Sequence, residues 1–151
     1  MTPRQHRLLA GWLTLLLVLG APAGAGPAPP EIMLHVVVAD FENADGAAGV
    51  AVWNGAQGFP EEIEHALATT YTEITGGMAA ADFGPFPPGV YAVTVYHDKN
   101  DNQRFDKNWL GMPRESWGVS NNVRPRLRAP RFDEARLDLP AGAHTIEIQV
   151  R

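Results

Sequence analysis

Oxygen-bearing side chains recur along residues 98–106 with the spacing of a calcium-binding loop. Carboxylates and amides occupy positions one, three, five and nine of this segment, and a backbone carbonyl is available at position seven. Calcium takes about six to eight oxygen ligands, and alternate residues of a tightly curled loop point inward. The segment therefore predicts a calcium site formed by Asp98, Asn100, Asn102, Arg104 and Asp106.

Two parts of the calcium-loop pattern are missing from this segment. Position six is Gln103 instead of the glycine that makes the sharp turn easy, and position twelve is Trp109, which has no carboxylate. Glu115 or another loop would have to supply the missing ligand. The alternative is an Asx-rich turn whose side chains accept hydrogen bonds from their own backbone. Both interpretations stay open on the sequence alone.

A histidine immediately precedes this loop. His97 shares its parity with Val93 and Val95, which places its ring on the core side of a strand end. There it could hydrogen-bond the loop, ligate a metal or act as a general base, and the last two roles suggest a metal-assisted hydrolase using His97 and neighbouring carboxylates. A catalytic zinc site needs two or three converging histidines, whereas strand parity scatters the others. The pattern favours a protein that is not an enzyme, with the hydrolase as an alternative.

Aromatic and amide side chains at strand ends and in loops suggest a second kind of site. A ring face can stack on a sugar or peptide while amides bond its polar groups. The same rings would equally anchor long loops by burying apolar area. The candidate ligand-binding residues are Trp53, His97, Trp109, Trp117, Asn121 and Asn122.

The charge is negative overall but locally basic. The chain has 12 Lys and Arg against 17 Asp and Glu, a net charge of −5, which gives no electrostatic basis for nucleic-acid binding. The run from Arg124 to Arg131 nevertheless contains four arginines. This run could bind an anionic surface or pair with the carboxylates that the rest of the chain has in excess. The ligand or protein partner stays unknown.

The elements that carry these residues have a period of two. Apolar residues alternate with polar ones around residues 34–38, 48–52, 91–95, 135–139 and 146–150, and Gly, Pro and Asn turns separate the runs. Residues 60–67 have helical spacing over about two turns. We predict an all-β fold: an antiparallel immunoglobulin-like or transthyretin-like β-sandwich of about seven strands with one short helix.

The N-terminus has the pattern of an export signal. A basic start and an apolar run of about a dozen residues precede two small-residue cleavage sites, and the run is too short to span a bilayer easily. We predict a secretory signal over residues 1–25, a Pro-rich leader over 26–31 and one domain over 32–151. The processed chain would have no transmembrane segment and would lie in a bacterial periplasm or exterior. With no Cys in the chain, it would fold without disulfides.

Several motifs occur together in one order along the chain. Val52 to Pro60 is followed by a Pro-Pro-Gly-x-Tyr-x-Val-x-Val segment that ends at Asp98, by the 98–106 loop, by Gly111-Met-Pro113 and by the segment from Trp117 to Asn122. This set resembles domain-of-unknown-function family 2141, a bacterial secreted family, and the resemblance implies no activity. The Pro-Pro-Gly segment is also similar to a strand of carboxypeptidase-regulatory and transthyretin-like sandwiches, which supports only the fold.

Overall fold

The alternating apolar runs form eight strands, and these pack as two sheets face to face. The computed structural model describes residues 28–151. Its strands are β1 (Ile32–Ala39), β2 (Ala47–Trp53), β3 (Ala68–Thr72), β4 (Ala79–Phe86), β5 (Gly89–Asp98), β6 (Trp117–Val119), β7 (Leu137–Leu139) and β8 (Gly142–Gln149). The predicted all-β sandwich is confirmed, with eight strands where about seven were expected.

One sheet has three strands in the order β4-β1-β8. β1 pairs with β4 antiparallel, through partners such as Val36 and Ala81. The same strand pairs with β8 in parallel, with Val36 opposite Ile146. The parallel pair joins the first and last strands, an arrangement that hydrophobic alternation does not predict because parallel and antiparallel neighbours can share the same parity.

The other sheet has five strands, all paired antiparallel. Its main path runs β3-β2-β5-β6, and the short β7 pairs with the first residues of β5. β5 is the longest strand and lies at the centre, with Val95 opposite Val50 on β2 and opposite Gly118 on β6. Because β5 ends at Asp98, this central strand delivers both His97 and the first residue of the candidate calcium loop to one edge of the sandwich.

The main core lies between the two sheets and follows the predicted parity. Alternate residues of β1, β2 and β5 are buried there with Ile148 of β8, while Leu137 and Ile146 are partly buried against them. The buried residues that the alternation predicted are Leu34, Val36, Val38, Val50, Val52, Val93, Val95 and Ile148.

A second apolar cluster covers part of the outer face of the five-stranded sheet. Trp53, Ala92 and Val119 are buried there, and Phe59 and Phe132 pack over them from the connecting segments. The alternation of apolar and polar residues assigned this face to solvent. Alternation separates the two faces of a strand, but it does not show whether another segment covers the outer face. The segments around residues 59–66 and 120–135 lie on it, so the central part of β5 is buried on both faces.

The predicted helix over residues 60–67 forms only one 3₁₀ turn, at Ile63–His65. A segment this short is unstable as an α-helix unless packing extends it, and here β3 begins at Ala68. The α-helix that does form, α1 (Phe132–Ala135), is a single turn that the sequence analysis missed. Asp133 and Glu134 stand in its first turn, where acidic residues are favoured.

The predicted signal segment over residues 1–25 lies outside the described residues. Within residues 28–151, no helix has the length and apolar character needed to cross a membrane.

Candidate functional site

The 98–106 loop is organised around a buried carboxylate. Asp98, at the end of β5, is fully buried. Its Oδ1 accepts the backbone N–H of Asn102 at 3.0 Å, and its Oδ2 accepts that of Gln103 at 2.7 Å. One carboxylate at position one therefore closes the turn through the amides of positions five and six.

The remaining predicted ligands lie close to one another on the same turn. Asn100 Oδ1 accepts the N–H of Asn102 at 3.2 Å, and Asn102 Oδ1 accepts the N–H of Arg104 at 2.8 Å. Both asparagines donate from Nδ2 to the carboxylate of Asp106, at 2.8 and 3.2 Å. The loop therefore brings together the four oxygen-bearing side chains that the spacing predicted. In this structure their oxygens accept hydrogen bonds from the loop itself.

The backbone turns sharply at positions four and six. Asp101 has a φ of 55° and Gln103 a φ of 58°, both in the left-handed region that disfavours residues with a Cβ. Glycine would adopt these angles without strain. The left-handed backbone of Gln103 at position six therefore lowers the stability of the folded loop. The hydrogen bonds from the loop amides to Asp98 offset this loss.

Glu115 closes the loop from the far end. It is almost completely buried, and its Oε1 accepts the N–H of Lys99 at 3.2 Å while its Oε2 accepts that of Asp106 at 3.0 Å. Burial raises the pKa of Glu115 above its ordinary value, and the nearby charges of Asp106 and Asp98 raise it further. The carboxylates of Asp98, Asp106 and Glu115 therefore repel one another electrostatically, but within residues 28–151 they do not form a trio with ligand atoms inside 4.8 Å of one another.

His97 is fully buried beneath the loop. Its Nε2 lies 2.8 Å from the carbonyl oxygen of Asp45, its ring meets the edge of Phe41, and its Nδ1 has no hydrogen-bond partner within residues 28–151. Gly46 allows the approach of this neighbouring turn, since a Cβ there would fall 1.9 Å from the carbonyl oxygen of Asp98. His97 therefore fixes the turn at residues 43–46 against the end of β5.

A groove with a cavity volume of about 450 Å³ opens on the outer face of the five-stranded sheet. Thr94 and Tyr96 of β5 contribute to its floor. The loops around residues 105–113 and 125–130 form two walls, and Pro60 to Ile63 form a third. The volume is in the range of pockets that hold small molecules. Its largest apolar lining residues are Ile63, Tyr96, Phe105, Met112, Trp117 and Leu127.

The floor of this groove is hydrogen-bonded to the candidate calcium loop. The hydroxyl of Tyr71 donates to the carbonyl oxygen of Gln103 at 3.1 Å, and the hydroxyl of Tyr96 lies 2.8 Å from that of Tyr71. Tyr96 therefore donates to Tyr71. Burial, and then this hydrogen bond, raise the pKa of Tyr96 above its ordinary value, so the hydroxyl stays protonated and keeps the contact.

Most charges that line the groove are neutralised by a neighbour. Glu61 pairs with Lys107, and Arg128 makes a two-point contact with Glu134 at 2.6 and 2.8 Å. Arg126 also lines the groove, but within residues 28–151 its side chain makes no ion pair or hydrogen bond. The groove is therefore apolar with one unmatched positive charge at its rim.

The predicted aromatic and amide residues do not converge on one surface. Trp117 lines the groove, with the guanidinium of Arg124 4.7 Å above its ring. Trp53 is buried and donates to Thr94, whereas Trp109 is almost fully exposed and does not line the groove.

The two asparagines act locally on backbone groups. Asn121 donates to the carbonyl oxygens of Glu134 and Arg136. Asn122 accepts the N–H of Gln149 at 2.8 Å.

The sequence analysis missed most of the groove. Strand alternation leaves Tyr96 on the outer face, where the groove lies, but the sequence analysis singled out neither Tyr96 nor Phe105, Met112 and Leu127. The available signal was the number of large apolar side chains in a segment otherwise polar and free of long strands, which indicated that the segment packs against something. Which face of which sheet it covers depends on the tertiary fold.

A small cluster of possible metal ligands lies on the 3₁₀ turn. Glu62, Glu64 and His65 bring their ligand atoms within 4.8 Å of one another, the one trio of His and acidic residues in 28–151 to do so. All three are exposed. Exposed acidic groups on adjacent residues often lie this close without binding an ion, so we assign no metal site to this cluster.

Residues 36–147 match the family described as an uncharacterized protein conserved in bacteria, DUF2141. The chain belongs to this family. The match confirms the resemblance seen in the ordered motifs, and it contains the 98–106 loop and every wall of the groove. No curated protein and no solved structure matches the chain. Membership in DUF2141 therefore brings no activity with it, and the site has to be interpreted from its own chemistry.

Proposed function

We propose that this DUF2141 protein is a non-enzymatic binding module, exported to the periplasm or exterior of a bacterium, whose ligand site is the groove on the outer face of the five-stranded sheet. The observation that carries the proposal is the cavity of about 450 Å³ with its predominantly apolar lining. Ligand sites are commonly concave and mostly apolar with a few polar groups that orient the ligand.

The chemistry of the lining sets the class of ligand. Tyr96, Phe105 and Trp117 offer ring surfaces, and Thr94 brings a hydroxyl to the floor. Arg126 adds one positive charge that no neighbour within residues 28–151 matches. These groups suit a small apolar molecule that carries an anionic or hydrogen-bonding group at one end.

The geometry gives less support to a metal-assisted hydrolase. The side chain of His97 is fully buried, and its Nε2 already contacts the carbonyl oxygen of Asp45. A general base must come within hydrogen-bonding reach of the substrate, and a buried ring in the sheet-to-sheet core has no route to one. Ser120 is also buried, and its hydroxyl is engaged with the backbone of Val93 and Ala135.

Binding of the fluorescent probe anilinonaphthalene sulfonate tests the groove, because the probe combines apolar rings with one negative charge. We expect saturable binding of one molecule per chain. Ala129→Trp, which places a large ring in the groove wall, should abolish it. Ala143→Trp on the exposed start of β8 is the matched control and should leave binding unchanged. Binding that does not saturate, or that both variants reduce equally, would contradict the proposal.

A calcium-stabilised module is the second candidate, and the arrangement of the 98–106 loop favours it. Asp98, Asn100, Asn102 and Asp106 lie on one turn, and Glu115 adds a third carboxylate at its base. Calcium would replace hydrogen bonds from the asparagine amides to Asp106 with oxygen–metal contacts. A comparison of melting temperatures in calcium and in EDTA separates this candidate from a self-bonded Asx turn.

A further inference from the structure

The most exposed large apolar side chains of the described residues are concentrated in one part of the chain. Leu127 is 99% exposed, Trp109 91%, Leu110 64% and Met112 59%. All four lie within residues 104–131, whereas no other large apolar side chain in residues 28–151 is more than 49% exposed. Clustered apolar exposure of this kind marks an interaction surface more often than scattered single residues do.

The turn that presents Trp109 and Leu110 is ordered by its own hydrogen bonds. Asn108 Oδ1 accepts the N–H of Leu110 at 2.9 Å and that of Met112 at 3.0 Å. The backbone of Asn108 also bonds the N–H of Gly111 and the carbonyl oxygen of Met112. These side chains are therefore exposed on an ordered turn. Leu127 lies on the loop at residues 125–130, across the groove from the loop at residues 105–113.

This part of the chain is also strongly basic. Residues 104–131 contain seven Lys and Arg but only two Asp and Glu, while the rest of the sequence has five basic and fifteen acidic side chains. Lys107, Arg128 and Arg131 have acidic partners. Arg104, Arg114 and Arg126 are exposed, and within residues 28–151 their side chains make no ion pair or hydrogen bond.

We propose that these two loop tips dock the protein on an anionic lipid membrane surface. Trp109, Leu110 and Leu127 enter the boundary between headgroups and acyl chains, and Arg114 and Arg126 remain among the lipid phosphates. Tryptophan favours that boundary, and basic residues are attracted to the surface potential of anionic lipids. Arg126 and Leu127 also line the groove, whereas Trp109, Leu110 and Arg114 do not, so these three residues separate membrane docking from binding of a ligand in the groove.

The degree of exposure favours a membrane over a protein partner or a small ligand. A side chain that is more than nine-tenths exposed has almost no neighbours and projects from the surface. A fluid apolar phase can surround such a side chain on every side, whereas a rigid partner would need a separate pocket for each loop. A molecule inside the groove would leave Trp109 in water, because Trp109 does not line it.

Single-cysteine reporters test insertion directly, because the chain has no Cys of its own. The protein is purified after export, so that it has the N-terminus produced in the cell. A nitrobenzoxadiazole label is attached at Leu127→Cys. The control label stands at Met33→Cys, on the outward face of the three-stranded sheet. With phosphatidylglycerol vesicles we expect a blue shift and a several-fold rise in emission at position 127 and no change at position 33. Phosphatidylcholine vesicles should produce little change at either position.

Substitutions test whether the proposed residues cause the fluorescence change at position 127. Trp109→Ser with Leu110→Ser should weaken partitioning about a hundredfold, since each of the two buried apolar side chains contributes about one power of ten. Arg114→Gln and Arg126→Gln should each weaken it about fivefold at low salt and less at high salt. Val90→Ser, at a partly exposed apolar position outside residues 104–131, is the matched control and should have no effect.

Three results would overturn the proposal. The first is an unchanged spectrum at position 127 with anionic vesicles, which would leave the tips to a protein partner. The second is an equal shift at positions 127 and 33, which would indicate unspecific adsorption. The third is a shift that grows with protein concentration without vesicles, which would assign the tips to contact between copies of this chain.

Discussion

The indole N–H of Trp53 donates to the hydroxyl oxygen of Thr94 at 2.9 Å, between two buried side chains on the outer face of the five-stranded sheet. The bond links β2 to β5 beneath the segments that cover this face. It also explains why a threonine occupies a buried position in the central strand. The indole N–H cannot reach water, so it depends on this one acceptor.

Thr94→Val should therefore destabilise the protein although it preserves the shape of the side chain. The variant leaves a buried N–H without an acceptor, and such a group costs about 1–3 kcal/mol. Urea unfolding measures the loss. Thr145→Val, at an exposed position of β8, is the control and should change the free energy of unfolding by less than about 0.5 kcal/mol. Equal effects of the two substitutions would show that the Trp53 bond contributes nothing.

Val95→Ala tests the register of the central strand. Val95 is buried between the sheets opposite Val50, so the truncation leaves a cavity in the main core. We expect a loss of about 1–3 kcal/mol in the free energy of unfolding. Val90→Ala, near the start of the same strand, removes the same atoms from a partly exposed position and should cost clearly less. A negligible loss at Val95 would contradict the packing described for β5.

Glu115 should make stability fall as the pH rises above about 4.5. Its folded-state pKa is raised, mainly by burial, so the folded protein holds this proton over a pH range in which the unfolded chain has released it. Stability declines with increasing pH wherever the folded state binds more protons. The contribution is complete below pH 4.5 and is lost as the pH passes through the folded-state pKa.

The matched comparison for this pH dependence is Glu115→Gln in EDTA. The free energy of unfolding of the wild type, relative to the variant, should decrease from pH 4 to pH 7, because glutamine does not titrate. Urea unfolding at several pH values measures the difference, and subtraction removes the contributions of other carboxylates such as Glu134, whose pKa is lowered to about 2. A difference that increases with pH would contradict the predicted direction.

The proposed export predicts a defined N-terminus. The small-residue sites after the apolar run place the first residue of the processed protein at Gly24 or Gly26. N-terminal sequencing of protein recovered from the periplasm or medium measures this. An intact Met1 on membrane-bound material would show that the segment is retained as an anchor.

The parts of the fold that depend on local pattern could be predicted from the sequence. The parity of Val93 and Val95 gave the core face of β5, and the spacing of Asp98 and Asp106 identified the residues that the loop brings together. The pairing of β1 with β8 and the covering of Tyr96 could not be predicted in this way. Both depend on contacts between segments far apart in the chain, and side-chain parity is the same whichever segment lies opposite.

Gln103→Gly tests the strain in the backbone at position six of the 98–106 loop. Gln103 has a φ of 58°, and a residue with a Cβ in this region costs about 1–2 kcal/mol more than in an ordinary conformation. Gln103→Gly removes that cost but increases the entropy of the unfolded chain, so we expect a net gain of up to about 1 kcal/mol in EDTA. Gln57→Gly, at an exposed position without a positive φ, is the matched control and should not stabilise the protein.

Calcium should add to this effect if the loop binds it. Two carboxylates on the turn, Asp98 and Asp106, suggest a dissociation constant of about 0.1–1 mM, in the range of extracellular calcium modules. At about 2 mM calcium the stabilisation would be roughly 0.7–1.8 kcal/mol, a rise of a few degrees in the melting temperature. Gln103→Gly should enlarge the rise, and Asp106→Asn should reduce it because one of the two charges is lost. If calcium leaves the wild-type melting temperature unchanged while Gln103→Gly still stabilises the protein in EDTA, the loop is a self-bonded Asx turn. Asp98 and Glu115 then serve as acceptors for its amides.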